Sequence, residues 1–307
     1  MTQTEPGPLV FATFAEDDAA VYHVSVLAES IRAFGGAMHD APVWLYIPAD
    51  FVIDDPTADR LDALNVKIRR TDVPAEALRL PYARKVFAAA TAEAEAADRF
   101  AILTWLDEDT VFLDEPLEFN LPAHISIAYR PVMHNIIGSL HTEPPNEFWS
   151  RLYELMSVPR DALFAMTTPA DRQVIRAYFN AGILAVRPER EILRAWAGYF
   201  ETLYSDARLL QWAEEDRLKK VFLHQTALVG AVLNSVRRDE MIELSERYNY
   251  PIFFKEMFGA TEEFDTLDAV VTLRYDVYFR NPAPGWHEKL KGPADRIAWL
   301  RDRLGRT

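Results

Sequence analysis

The 307-residue chain contains no cysteine, which removes disulfides, thiolate nucleophiles, iron–sulfur clusters and cysteine-held zinc together. Positive charge is also scarce: 33 Lys and Arg face 47 Asp and Glu, for a net charge of −14. That field repels phosphate backbones and anionic lipid headgroups, so neither nucleic acid nor an anionic membrane is an expected partner. No stretch approaches the roughly 18 uninterrupted apolar residues of a membrane span. The opening Met1-Thr2-Gln3-Thr4-Glu5-Pro6-Gly7-Pro8 lacks the basic n-region and apolar core of a signal peptide. Phosphate-cradling loops of the Gly-x-x-x-x-Gly-Lys and Gly-x-Gly-x-x-Gly kinds are missing, which disfavours ATPases and Rossmann dehydrogenases. A cytoplasmic, globular protein is the expectation.

What the chain has is apolar material, half of its residues, enough for a large core. Apolar runs alternate with amphipathic segments through the first third. Leu9–Phe14, Pro42–Pro48, Val66–Arg69 and Phe100–Leu106 read as strands. Between them, helices are expected over about 18–34, 57–64 and 82–97, the first with Val24, Leu27, Ala28 and Ile31 at helical spacing and Gly35-Gly36 at its end. Further on, Gly182–Val186 and Ala269–Leu273 read as strands, and Pro188, 222–233 and 293–304 mark helices. Such alternation predicts an α/β fold with a mostly parallel, doubly wound sheet flanked by helices. Ligands of such sheets sit at the carboxyl ends of the strands. With no linker or repeat, 1–307 reads as a single domain. Its proline-rich segment 131–178 is expected as an insertion over the sheet, and 288–307 as a C-terminal helix.

The chemical signal is Trp105-Leu106-Asp107-Glu108-Asp109-Thr110, three carboxylates leaving an apolar strand at its ligand-binding end. In extended chain, Asp107 and Asp109 face together and Glu108 faces away. Two adjacent carboxylates repel, and a divalent cation with a taste for hard oxygen ligands, Mn²⁺ or Mg²⁺, is the usual relief. His134, His141 and Glu143 share no helical or strand face and read as solvated loop residues.

Asp107-Glu108-Asp109 after its strand resembles the Asp-x-Asp motif of GT-A fold nucleotide-sugar glycosyltransferases, nearest to the group containing glycogenin and the lipopolysaccharide galactosyltransferases. Three other segments agree in order. Tyr82-Ala83-Arg84-Lys85 resembles the Tyr-Ala-Arg segment whose arginine contacts the donor sugar. Tyr178-Phe179-Asn180-Ala181-Gly182 matches the Phe-Asn-Ala-Gly segment that contacts the sugar beside the metal. His224-Gln225-Thr226 resembles the Asp-Gln-Asp segment whose glutamine lies beneath the anomeric carbon. The resemblance covers about 9–280 and implies a hexosyltransferase, expected to be retaining, with a UDP-hexose donor and an unidentified glycan, lipid or protein acceptor. It assigns Gln225, Asn180 and Arg84 to catalysis. Thr13, Ala15, Tyr22, Arg84, Lys85, Asp107, Glu108, Asp109, Asn180, Ala181 and Gly182 would hold the donor, and Asp107, Asp109 and Asp276 the metal.

Two departures stand out. Where the family has a late metal-binding histidine, the chain reads Leu273-Arg274-Tyr275-Asp276. Asp276 supplies the third ligand, or metal binds weakly, or Arg274 replaces part of its charge; Asp276 is preferred. His224 and Thr226 stand where the family has carboxylates, so no covalent nucleophile is available there. Two other readings compete. Asp107-Glu108-Asp109-Thr110-Val111 fits the phosphatase signature of the haloacid-dehalogenase family, but follows at least three strands rather than one. A catalytically silent nucleotide-sugar-binding protein of the same fold is the second.

Overall fold

The central strands form from apolar runs that end in turns, and most of the helices start on side-chain caps. In the computed structural model, which describes residues 7–252, 267–275 and 285–304, the chain opens with β1 (Gly7–Phe14), α1 (Asp18–Phe34), β2 (Val43–Pro48), α2 (Asp55–Ala63), β3 (Val66–Thr71), α3 (Ala83–Ala96) and β4 (Phe100–Leu106). Then follow β5 (Thr110–Phe112), β6 (Ile127–Pro131), α4 (Glu147–Leu155), β7 (Ala165–Thr167), β8 (Val174–Arg176) and β9 (Phe179–Val186). Next are α5 (Ile192–Tyr204), α6 (Ala207–Glu215), α7 (Arg217–Ser235), β10 (Met241–Glu243), β11 (Tyr250–Pro251), β12 (Thr272–Arg274) and a final helix, Ala294–Leu304. Asp17 and Asp54 cap α1 and α2 by accepting from the Ala20 and Thr57 amides, satisfying donors that a helix start leaves unpaired.

Seven strands make the main sheet in the order β10-β6-β9-β4-β1-β2-β3. β1 pairs in parallel with β2 and with β4, so the winding direction changes between β1 and β4. Such switch points open a crevice at the carboxyl ends of the strands. β9 is antiparallel to both β4 and β6. Its reversal brings the start of β9, Phe179-Asn180-Ala181-Gly182, to the same edge as the end of β4.

Apolar side chains fill both faces. One face buries Trp44, Trp105, Leu184 and Trp196 with α3, α5 and α7, and the other buries Phe11, Leu45, Ile102 and Leu106 beneath α1 and α2. A smaller three-stranded sheet, β11-β12-β5, holds a third cluster with Leu273, Tyr275, Leu300 and Leu304.

The expected strand at 269–273 is shorter: Leu267–Ala269 is a 3-10 turn and only Thr272–Arg274 is in a ladder. The amides of Val271 and Thr272 both reach the Arg247 carbonyl, which closes a loop instead of extending a strand. Segment 131–178 packs as α4 and the β7–β8 hairpin. Gly230 of α7 admits α4 closely, because a Cβ there would meet Met156. None of the segment's residues lines the cleft described below.

No helix among the described residues is long and apolar enough to cross a membrane. One long-range cap orders the helical layer. α5 starts at Glu191 in a left-handed conformation without a side-chain cap. Glu93, fully buried in α3, supplies the acceptor, its carboxylate taking the Arg194 amide at 2.8 Å. Burial lifts the Glu93 carboxyl from 4.5 to about 7, although the Arg194, Leu193 and Ile192 amides and the Arg194 charge oppose it. A group whose folded value is raised contributes stability below the unfolded pKa and loses it as pH rises through the folded value. The shift from 4.5 to about 7 is worth ~3 kcal/mol at alkaline pH. Glu93→Gln is therefore expected to match the parent in thermal melts near pH 4.5 and to exceed it above about pH 8; a difference that ignores pH would count against a buried charge as the cause.

Candidate active site

A cleft of about 660 Å³ opens at the switch point, a volume in the range of small-molecule sites. One wall is the end of β1 and the start of α1, from Phe14 to Ala20 with His23. The opposite wall is the start of α3, with Tyr82, Ala83, Arg84 and Lys85. The floor is Trp105 to Asp109, and Arg274 with Tyr275 closes one side.

Asp107-Glu108-Asp109 is not extended chain. The Thr110 amide donates to the Asp107 carbonyl at 3.2 Å, so the segment is a tight turn from β4 into β5. The turn, rather than strand alternation, brings Asp107 and Asp109 to one partner, and Glu108 also lines the cleft. Burial and the two neighbouring aspartates push the Glu108 carboxyl up to about 8.

That shared partner is Arg274. β12 pairs antiparallel with β5, placing Arg274 opposite Thr110, and the Tyr275 amide donates to the Asp109 carbonyl at 3.2 Å. The Arg274 guanidinium lies 2.9 Å from Asp107 Oδ2 and 3.3 Å from the Asp109 carboxylate. Lys85 Nζ pairs with Asp107 Oδ1 from the opposite side. Lys85, with only 10% of its side chain exposed, sits in the first turn of α3, where the helix dipole disfavours a cation; the Asp107 partner compensates. Both basic groups hold the Asp107 carboxyl below its ordinary value against the opposing effect of burial. Gly182 leaves room for this cluster. A Cβ there would strike Asp107 Oδ2 and come within 3.0 Å of Arg274 Nη1.

These contacts decide how well the expected Mn²⁺ or Mg²⁺ fits. Among the described residues no three His, Asp or Glu side chains form a metal-holding group, and Asp276, the expected third ligand, lies outside the described residues. Both carboxylates already have cationic partners. A divalent ion would have to displace Lys85 and Arg274 from these carboxylates, so the donor set as it stands, with both acids already engaged by cations, does not fit one.

The remaining expected residues divide. Asn180, Ala181 and Gly182 lie directly behind the floor. The Gly182 carbonyl accepts from the Asp107 amide at 2.9 Å, and Asn180 Oδ1 accepts from the Gly182 amide at 2.8 Å. Gln225, largely buried on α7, accepts from the Ala181 amide at 3.2 Å. Ala15 and Arg84 line the cleft, with Arg84 3.3 Å from Glu16 at its rim. Thr13 and Tyr22 do not. Thr13 is fully buried within β1, and the Tyr22 hydroxyl donates to the Arg303 carbonyl of the final helix at 2.6 Å. The residue after it, His23, faces the cleft and contacts the Tyr275 hydroxyl at 2.8 Å. Arg79, Arg217 and Lys220 also line the cleft and carried no sequence signal beyond their charge.

His224 takes the place of the family's first carboxylate. Its ring stacks at 4.5 Å on Tyr82, and its Nδ1 is 2.8 Å from the Val221 carbonyl. Burial and the nearby Lys85 charge drop its pKa to about 3, so the ring is neutral. A neutral ring bonded through Nδ1 keeps its proton there and leaves Nε2 an acceptor. Thr226 is fully buried and its hydroxyl donates to the Leu223 carbonyl at 2.8 Å. Neither flanking residue is a nucleophile.

Comparison with known proteins bears on the fold and the family. The chain aligns with solved structures of the galactosyltransferase LgtC, one with donor and acceptor sugar analogues bound, at 18% identity and a TM-score of 0.51. That alignment covers 96% of this chain and 95% of LgtC. The bifunctional glycosyltransferase WbbM aligns at 13% identity and a TM-score of 0.50, over 98% of this chain and 50% of the larger one. Mouse xyloside xylosyltransferase 1 aligns at 12% identity and a TM-score of 0.49, over 89% of this chain and 99% of that one. Among curated proteins, none matches in sequence. The model of the Rhodobacterales glycosyltransferase domain matches residues 11–235, well over half of the chain. This protein belongs to that glycosyltransferase family and carries the GT-A fold of nucleotide-sugar transferases.

Proposed function

We propose that the protein moves a hexose from a UDP-linked donor to a hydroxyl of a glycan, lipid or protein acceptor, with retention at the anomeric carbon. The observation that carries this reading is the cleft at the β1–β4 switch point, with basic groups on two walls and a carboxylate turn as its floor. It sits in a chain of a sugar-transferring family. The protein is acidic overall, so an anionic donor must meet positive charge locally. Arg79, Arg84, Arg217 and Lys220 surround the opening and supply it.

In the transfer, the bond between the anomeric carbon and the diphosphate oxygen breaks while the acceptor oxygen bonds to the same carbon. The acceptor's proton passes to the leaving diphosphate. With His224 neutral and Thr226 turned into its own helix, no enzyme carboxylate at these positions traps the sugar covalently. Gln225, behind the floor and outside the cleft lining, is a neutral amide that would act on the sugar from beneath. Retention then follows from attack on the face that the diphosphate leaves.

Two measurements test this. A panel of UDP-, GDP- and dTDP-linked sugars is expected to show slow hydrolysis of UDP-hexoses without acceptor. Binding of UDP without turnover of any donor would instead identify a silent binder, and turnover of phosphate monoesters with no nucleotide requirement would identify a phosphatase. Gln225→Ala is expected to lower kcat about 10²-fold, the scale of losing one polar group at a reacting centre. The donor KM should change far less, since the group acts where bonds break. An unchanged kcat would remove Gln225 from the mechanism.

A further inference from the structure

We propose that Lys85 and Arg274 take over the electrostatic role of a divalent cation, so that this protein binds its diphosphate donor without metal. The inference deepens the donor assignment above and rests on it. Four observations meet at one place. Arg274 bridges Asp107 and Asp109, at 2.9 and 3.3 Å. Lys85 holds the second oxygen of Asp107. The β12–β5 register fixes Arg274 over the turn. Gly182 keeps clear the volume in which Asp107 and Arg274 meet.

Charge balance gives this arrangement its meaning. Asp107, Asp109, Lys85 and Arg274 sum to zero among themselves before any ligand arrives. Carboxylates that accept from a guanidinium orient it through charge-assisted hydrogen bonds, here one to each aspartate. A quarter of the Arg274 side chain remains exposed and lines the cleft together with Lys85. An ammonium carries three donors and a guanidinium five, all charged. As the sugar–oxygen bond breaks, charge growing on the diphosphate is met by cations already in position, which is how preorganised electrostatics lowers a barrier. The chain's own side chains then do the work, and metal supply does not limit it.

The test is calorimetric titration of UDP into the full chain, once in EDTA and once in Mn²⁺, with Mn²⁺ electron paramagnetic resonance as a second readout. The affinities are expected to agree within about threefold. Free Mn²⁺ signal should be undiminished by protein, with or without UDP. Arg274→Gln is expected to weaken metal-free UDP binding more than tenfold, the scale of a lost charge-assisted pair. Arg274→Lys, which keeps the charge, should recover part of that loss, and thermal melts confirm that each variant is folded. UDP binding to the parent only with Mn²⁺, together with loss of the free-ion signal, would overturn metal independence and leave the donor assignment standing. Absence of UDP binding in both buffers would overturn the donor assignment itself. Because the parent alone separates these outcomes, misfolding of a variant does not blunt the test.

Discussion

A carboxylate that has lost its water must have a partner, and Asp107 is where that requirement organises the molecule. It stands at the end of the central strand, almost fully buried, and draws in three separate pieces of chain. The first turn of α3 brings Lys85, β12 brings Arg274, and the start of β9 brings a glycine that leaves space for both. Leaving such a charge unpaired would cost several kcal/mol. The walls of the cleft are thus held in register by the group at its floor. α3 is bound at two points: Lys85 at its start reaches the carboxylate turn, and Glu93 further along caps α5. Through that one helix the site is tied to the helical layer behind the sheet.

Much of the frame is legible in the sequence, and the reason is local. β1, β2, β4, α1 and α3 carry their periodicity and their punctuation within a few residues. The short strands β5, β7, β8, β10 and β12 have three residues each, too few for a repeat to register against the surrounding loop. The carboxylate turn is visible too, as three acids after an apolar run. Its geometry is not, because an extended chain and a tight turn share the same letters. One expected residue misses the cleft by one position on a helix, a rotation of about 100°. Tyr22 turns toward the final helix where His23 enters the cleft, whereas Arg84 and Lys85 both line it, at the rim and at the floor. A resemblance fixes the segment, whereas packing fixes which neighbour in it points inward.

Arg274 is the instructive case. Its letter marks a departure from the family pattern, but nothing near it in sequence names its partner, which lies 165 residues earlier. Only the β12–β5 pairing brings them together. The overall acidity of the chain also changes meaning in this light. Excess carboxylates elsewhere on the surface repel an anionic donor, while at the cleft floor the carboxylates hold cations in place and cancel their own field.

The separation of Asp109 from Arg274 also sets the order in which this site can come into being. A chain made from its N-terminus finishes β1 to β4, the carboxylate turn and most of the helical layer well before Arg274 is synthesised. Until β12 arrives, Asp107 has Lys85 alone and Asp109 lacks the guanidinium that neutralises it. The site is completed only after the whole main sheet has been made, and a nascent chain halted short of β12 would display a sheet with an unbalanced acidic end. Catalytic competence in this protein therefore waits on a three-residue strand outside that sheet.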